Sequence, residues 1–405
     1  MKDYPAIQFS LLRIIVGVYL VQHFAFLIPY AGDIWSNQGI LADASLNFTY
    51  GKFPNLLTAL DSSFQATAFV SVLLALSIAL LFGFARPIVC ILLWYGWACL
   101  FHRNNLISNP GLPMMGWLLL AMALVPKGEP LSLFSKKNDN DWEMPRILFV
   151  GAWLILGITY TISGIDKAMA PSWQDGSAMF HLMANPLARD WWWTHLLAAS
   201  PDWLLQIATW LTLALEIAFG ALCLFRRTRV FAWFALIAMH LGILTVIDFA
   251  DLTFGVLMLH FFVYDPKWFK VDPGSETSRV VFFDGVCGFC NATVNTLIDN
   301  DPDGVLKFSP LQGEFAKKTL SDDFTENLNT IAYCRHGKVY TRTGALIRIV
   351  RDLGGIGALA YPLLIVPSFL RDPFYDLFAS FRYKLFGKLD ACRMPSPEEQ
   401  TRFID

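Results

Sequence analysis

The feature that most constrains this chain is a succession of long apolar runs, separated by short polar connections, that occupies everything up to about residue 265. A helix needs roughly 20 apolar residues to cross a hydrocarbon core of about 30 Å. Runs of this kind lie at 9–30, 66–85, 87–102, 111–126, 146–164, 204–225, 229–248 and 251–264, of which the third, fourth and eighth are short. They predict a polytopic α-helical membrane bundle of about eight helices. Composition agrees: of 405 residues, 55% are hydrophobic and 16% charged, with a mean hydropathy of +0.46. That is little charge for a water-facing surface of this size. The formal net charge of -2 comes without a basic stripe, so no nucleic-acid partner is expected.

Lysine and arginine set the expected orientation, because short cytosolic loops hold an excess of both. With eight spans, Lys2, Arg86, Lys127, Lys136, Lys137, Arg146, Arg226, Arg227, Arg229, Lys267 and Lys270 share one side, against Lys52, Arg103, Lys167 and Arg189 on the other. The chain is therefore expected to be integral to an inner or plasma membrane, with its N-terminus and C-terminal region cytosolic. The first run lacks a small-x-small cleavage site and reads as a retained helix. Trp191, Trp192 and Trp193 fall in the long far-side loop, where an interfacial helix is expected.

Several ionisable residues fall within apolar segments: Arg13, His23, Glu216, His240 and His260. At membrane depth such groups face a bundle interior or a wet cavity and find a partner. Glu216 is the most isolated, in "LTLALEIAFGALCL", and pairing with Arg13 would satisfy both charges. His240 and His260 lie on consecutive helices and can line one cavity, though two histidines at this spacing do not make a metal site. Lys167 stands where the fifth span ends, in "YTISGIDKAMAPSWQDGSAM". A half-desolvated lysine there can serve as a base, or it can snorkel to the headgroups.

That last stretch resembles the membrane domain of the vitamin K-dependent gamma-carboxylases, the HTTM family, through Gly164, Ile165, Lys167, Trp173, Gly176 and Met179. The resemblance extends more loosely over residues 8–265. It implies that Lys167 acts as the base toward a quinone or hydroquinone. Trp173, within the matched stretch, and Glu216, His240 and His260, from their place in apolar segments, are the candidate ligand-binding residues. The large extracytosolic domain of the carboxylases has no counterpart here, so glutamate carboxylation is not expected.

The chain changes character at "YDPKWFKVDPGSETS", a linker over 266–278, and residues 279–405 have ordinary globular composition. "SRVVFFDGVCGFCNATVNTLIDND" reads as a buried strand, a Cys-x-x-Cys pair and an amphipathic helix, the order of a thioredoxin-like α/β domain. Cys287, at the helix N-terminus, is the expected attacking thiol, since unpaired N–H groups and the helix dipole stabilise a thiolate. Cys290, one turn on, is the expected resolving thiol. Asp284, three residues before Cys287, is placed to accept or relay a proton. The competing readings are an inert buried pair and a zinc half-site, the latter with Cys334 and His336 or Cys392 as further ligands. Residues 354–370 are apolar enough to suggest a ninth span, but Gly354, Gly355, Gly357, Pro362 and Pro367 argue for a place in the domain core, with a face resting on the membrane.

"FFDGVCGFCN", "LKFSPLQG", "RTGALIRIVRDLGG", "YPLLIVPSFLRDPFYDLFASFRYKLFGKLDAC" and "MPSPEEQTRF" together resemble the DCC family of thiol–disulfide oxidoreductases, whose aspartate and two cysteines match Asp284, Cys287 and Cys290. The expected function is a membrane-bound thiol–disulfide oxidoreductase working with membrane lipids and a cytosolic thiol reductant or protein dithiol. Lys167 and the cysteines are expected on opposite sides of the bilayer, so coupling between them needs a diffusing quinone or a second quinone position. A redox domain on a passive anchor, and a redox-regulated transporter or lipid-handling protein, are the alternatives.

Overall fold

The computed structural model describes residues 4–133, 142–269, 279–320, 330–387, 395–396 and 399–404. Lys2, Lys136, Lys137, Lys270, Cys392 and most of the expected linker lie outside these residues. The chain separates into two units, Met1–Tyr264 and Asp265–Asp405.

The first unit is helical: α1 (Ala6–Leu27), α2 (Ala31–Trp35), α3 (Ser63–Leu81), α4 (Arg86–Arg103), α5 (Gly111–Leu124), α6 (Arg146–Ala168), α7 (Pro171–Gln174), α8 (Ala178–Met183), α9 (Trp192–Ala198), α10 (Asp202–Leu222), α11 (Arg226–Val246) and α12 (Ala250–Phe262). Five helical stretches are long and apolar enough to cross a membrane: Ala6–Trp35, Ser63–Leu81, Arg146–Ala168, Asp202–Leu222 and Arg226–Val246. The expected eight reduce to five by this measure. Helix α5, at 14 residues, rises only about 21 Å, and α12, at 13 residues, rises less. Helix α4 begins and ends on buried arginines.

Those arginines are structural. Arg86 forms an ion pair with Glu129 at 2.8 Å and donates to the Val125 carbonyl at 2.9 Å. Arg103 donates to Leu41 and Ser36 carbonyls, each at 2.7 Å. Arg13 donates to the carbonyls of Leu80, Leu81 and Leu131 and lies 3.8 Å from Glu129. The Arg13–Glu216 pair that charge sign alone allowed does not form: Arg13 reaches carbonyls at the end of α3 and at Leu131 and lies beside Glu129, and Glu216 pairs with Lys167. His23 pairs with Asp251 at 3.2 Å, and that carboxylate also accepts from Tyr19.

The second unit is a small α/β domain. Its strands are β1 (Arg279–Phe283), β2 (Lys307–Pro310), β3 (Ala332–Arg335) and β4 (Lys338–Thr341), in the sheet order β2-β1-β3-β4. Strand β1 runs parallel to β2, with Val280 opposite Lys307, and antiparallel to β3, with Val280 opposite Cys334. β3 and β4 form a hairpin whose turn places His336 and Gly337 at positive φ. All five residues of β1 are buried because both sheet faces are covered, as a continuous rather than alternating apolar run requires. One face packs Val281, Phe283, Val294, Leu297, Phe308 and Ile349; the other packs Val280, Phe282, Leu311, Ala316 and Cys334.

Helix α13 (Gly288–Asp299) connects β1 to β2, α14 (Glu314–Thr319) follows β2, and a third helix, Arg342–Asp352, follows the hairpin. A 3-10 run, Gly355–Ile365, and a long helix, Ser368–Phe386, close the domain. The 354–370 segment is thus not the core element expected from its composition. None of the 3-10 residues is buried, and Ile365 is 85% exposed. The core volume on that side is already filled by the Arg342–Asp352 helix, whose Ala345 and Ile349 pack against the sheet.

Candidate functional site

The turn after β1 builds the dithiol site. The Cys287 N–H donates to the Asp284 carbonyl at 3.3 Å, closing the turn. Cys287 then caps α13 in extended backbone conformation. Its Sγ accepts the Cys290 N–H at 3.2 Å, the helix-end contact that favours a thiolate there. Both cysteines are free thiols, Cys287 buried and Cys290 half-buried. Burial first, then the adjacent Cys287 sulfur, pushes the Cys290 thiol well above the usual thiol range. Cys290 is therefore the member that keeps its proton.

Asp284 is 2% exposed. Its Oδ1 accepts from the Val286 N–H at 3.2 Å and the Gln312 side chain at 2.9 Å. Its Oδ2 accepts from Arg382 at 3.4 Å and from the Tyr383 hydroxyl. Gln312 also accepts the Gly285 N–H at 3.1 Å, and Asn291 donates to the Gly285 carbonyl at 2.8 Å, so the turn is braced on both sides. The carboxylate oxygen and the two sulfurs lie within 4.8 Å of one another, the one group of at least three metal-ligating side chains found among the described residues. Neither Cys334 nor His336 belongs to it, Cys334 being packed in the second core cluster.

The long Ser368–Phe386 helix completes the site. Burial opposes the charge on Arg382, but its hydrogen bond with Tyr383 and the nearby sulfurs of Cys290 and Cys287 raise its pKa. The guanidinium is thus the fixed cation facing the dithiol. Tyr383 is shifted upward, first by burial and then by its bond to Asp284, so it remains a phenol. Phe289 of the Cys-x-x-Cys sequence sits between Phe378 at 4.9 Å and Phe386 at 5.0 Å. Gly288 lies against the end of this helix, where a Cβ would fall 2.5 Å from the Phe386 carbonyl oxygen.

Arg382, Tyr383, Gln312 and Asn291 were not singled out from sequence. Gln312 and the Arg382-Tyr383 pair stand inside segments that carry the DCC resemblance. Nothing in local spacing links them to Asp284, 28, 98 and 99 positions away respectively.

In the helical unit the structure gathers the other candidates into a second polar cluster. Lys167 on α6 forms an ion pair with Glu216 on α10 at 2.5 Å and donates to Ser163 at 2.6 Å. Ser163 donates to the same Glu216 oxygen at 3.2 Å. The ammonium lies 5.5 Å from the Trp173 ring centre. The two helices approach closely at Gly164, where a Cβ would meet the Ile217 backbone nitrogen at 2.7 Å. Tyr160, also on α6, shares a 2.7 Å hydrogen bond with His240, and its ring is 5.7 Å from that of His260. His240 Nδ1 and His260 Nε2 are buried with no hydrogen-bond partner among the described residues. Tyr160 and Ser163 are the members of this cluster that sequence reading missed, both set in an otherwise apolar helix.

Comparison with known proteins bears on the second unit. The family described as DCC1-like thiol-disulfide oxidoreductase matches residues 281–388. The uncharacterized protein YuxK of Bacillus subtilis (strain 168) is 38% identical over 129 residues, covering 31% of this chain and 94% of that protein. DCC family protein At1g52590, chloroplastic, of Arabidopsis thaliana is 30% identical over 118 residues, covering 28% of this chain and 69% of that protein. No solved structure matches significantly. None of these matches carries the gamma-carboxylase-like resemblance of the helical unit.

Proposed function

We propose that this chain, which belongs through its C-terminal unit to the DCC1-like thiol-disulfide oxidoreductase family, is a membrane-anchored dithiol enzyme that reduces disulfides through Cys287 and Cys290. The observation that carries this reading is the Cys287 sulfur capping α13 at 3.2 Å from the Cys290 N–H, beside the buried cation of Arg382. A parallel β1–α13–β2 unit followed by a hairpin and a helix supports a thioredoxin-like fold.

In the reductive direction the Cys287 thiolate attacks one sulfur of a substrate disulfide. That S–S bond breaks, a mixed disulfide forms, and the leaving thiolate takes a proton. Cys290 then loses its proton, for which Asp284 with its Tyr383 partner is the nearby relay. Its thiolate attacks the Cys287 sulfur and releases the second substrate thiol. The substrate gains two electrons and the enzyme ends as the Cys287–Cys290 disulfide. A cytosolic thiol reductant or protein dithiol restores it by the same exchange.

The five apolar helices support membrane anchoring; the lysine–arginine distribution favours a cytosolic dithiol when α4, α5 and α12 cross as well, because five spans alone leave the two ends of the unit on opposite sides. Within the helical unit, the Lys167–Glu216–Ser163 group and the unpartnered nitrogens of His240 and His260 favour a polar ligand site. We assign it a quinone-type molecule that serves as an alternative electron acceptor to the substrate disulfide: it takes two electrons and two protons to become the hydroquinone while the dithiol closes to the Cys287–Cys290 disulfide.

Mass-tag alkylation of thiols in native membranes tests both parts. Two tags lost together on adding a protein disulfide, with neither lost in Cys287→Ser, is the expected result for the dithiol. Loss on adding a short-chain quinone that disappears in Lys167→Ala is the expected result for coupling. A response to thiol reagents alone would reduce the helical unit to an anchor.

A further inference from the structure

The Ser368–Phe386 helix is turned inside out relative to an ordinary surface helix. Several of its polar side chains bond to the rest of the domain. Tyr375 accepts the Ile331 N–H at 2.9 Å, Asp372 accepts from Thr343, Asp376 pairs with Arg342 at 2.9 Å, and Arg382 and Tyr383 hold Asp284. The outward stripe is Leu370, Phe374, Leu377 and Phe381, spaced by four, three and four residues and 53%, 76%, 61% and 46% exposed. Such spacing places all four on one face. The apolar surface continues backward through Phe369, Val366 and Ile365. Exposed apolar patches that are contiguous mark interaction sites.

Charge and chain context identify the occupant. Asp372 is bonded to Thr343 and the half-exposed Asp376 is paired with Arg342, and both stand two residues from a member of the stripe, on the other side of the helix, so the stripe itself holds no negative group. Lys384 is exposed at its edge, its ammonium 5.8 Å from the Phe381 ring. Phenylalanine and leucine beside a lysine suit the acyl–headgroup boundary of an anionic bilayer. The same chain has five helices fit to cross one. We infer that the outward face of this helix lies in the headgroup region of an anionic phospholipid bilayer. This rests on the membrane reading of the helical unit. The opposite face of the helix braces Asp284 and packs Phe289, so docking holds the dithiol at the lipid surface. Its substrate class is then a disulfide in a membrane-held protein or a lipid-soluble electron carrier.

The test is photolabelling of the full chain, reconstituted into phosphatidylcholine–phosphatidylglycerol vesicles, with a phospholipid carrying a carbene precursor on its acyl chain. Adducts are expected on the peptide spanning Phe374, Leu377 and Phe381, as well as on the five long helices, and not on α13. The triple variant Phe374→Glu, Leu377→Glu, Phe381→Glu should lose the adducts on this peptide while keeping those on the five helices. The milder Phe374→Ser, Leu377→Ser pair should cut them severalfold if the triple variant fails to fold. A labelled helical unit with an unlabelled 368–381 peptide overturns the inference. Protection of that unlabelled peptide from aqueous hydroxyl radicals would then identify a protein cover, such as a second copy. Unlabelled long helices would overturn the membrane reading and the docking with it. Alkylation of Cys287 and Cys290 in the same vesicles reads the dithiol function separately from either result.

Discussion

The two cysteines differ in chemistry because their immediate surroundings differ. Both are withdrawn from solvent, but the Cys287 sulfur accepts an N–H at a helix end, whereas burial together with the neighbouring sulfur keeps Cys290 protonated. Replacing Cys290 with serine should trap a mixed disulfide on Cys287 that non-reducing mass spectrometry detects; the Cys287→Ser variant should trap little. In that second variant burial remains, so Cys290 should alkylate more slowly at neutral pH than a free cysteine does. The same shift has a stability consequence. A thiol raised in the folded state favours folding fully below its unfolded value near 8.5 and loses that contribution as pH rises above it. Denaturant melts of the reduced protein should therefore weaken above about pH 8.5, and less so in Cys290→Ser. Asp352 tests the scaffold: it is fully buried against Arg335 at 2.5 Å, Arg351 at 3.4 Å and the Tyr333 hydroxyl at 2.8 Å. Asp352→Asn removes a buried partner charge and should cost about 3 to 5 kcal/mol in denaturant unfolding.

Among the elements, the strand–turn–helix that holds the cysteines was legible in sequence because its signals are local. A β-branched and aromatic run ends at Asp284-Gly285, and Val294, Leu297 and Ile298 then recur at helical spacing. The helix that closes the site was not legible as such. Arg382 and Tyr383 reach Asp284 only through tertiary packing. Gly288 is where the two elements meet. Gly288→Ala would place a Cβ 2.5 Å from a backbone oxygen, a contact relieved only by shifting the helix end. The variant should lose about 1 to 3 kcal/mol of stability and alkylate faster at Cys287, measured by timed mass-tagging. In the helical unit, apolar run length located eight helices, of which five are long and apolar enough to cross a membrane. Short α5 and α12, and α4 with its arginines, are apolar for packing against neighbours as well as for length.

At the scale of the whole chain, composition marked the division into an apolar helical unit and a small α/β unit, because solvation in lipid and in water demand different residue mixtures. Composition cannot carry the coupling between them, which depends on what the Lys167 cluster binds. Lys167→Ala leaves Glu216 buried without its cation, so the first check is that the variant still folds and inserts. Glu216→Gln with Lys167→Met removes both charges and should preserve the fold better. If the cluster binds a quinone, both variants should abolish quinone-dependent oxidation of the dithiol while exchange with a protein disulfide continues at the wild-type rate. The central claim, however, is that Cys287 and Cys290 form one reversible two-electron centre. A redox titration of the intact chain against defined dithiol–disulfide buffers, read by mass-tagged free thiols, tests it most directly. The account predicts that both tags disappear together along a two-electron curve and that either serine variant abolishes the transition. Thiols that titrate independently, or that stay blocked until a chelator removes a bound metal ion, would contradict it.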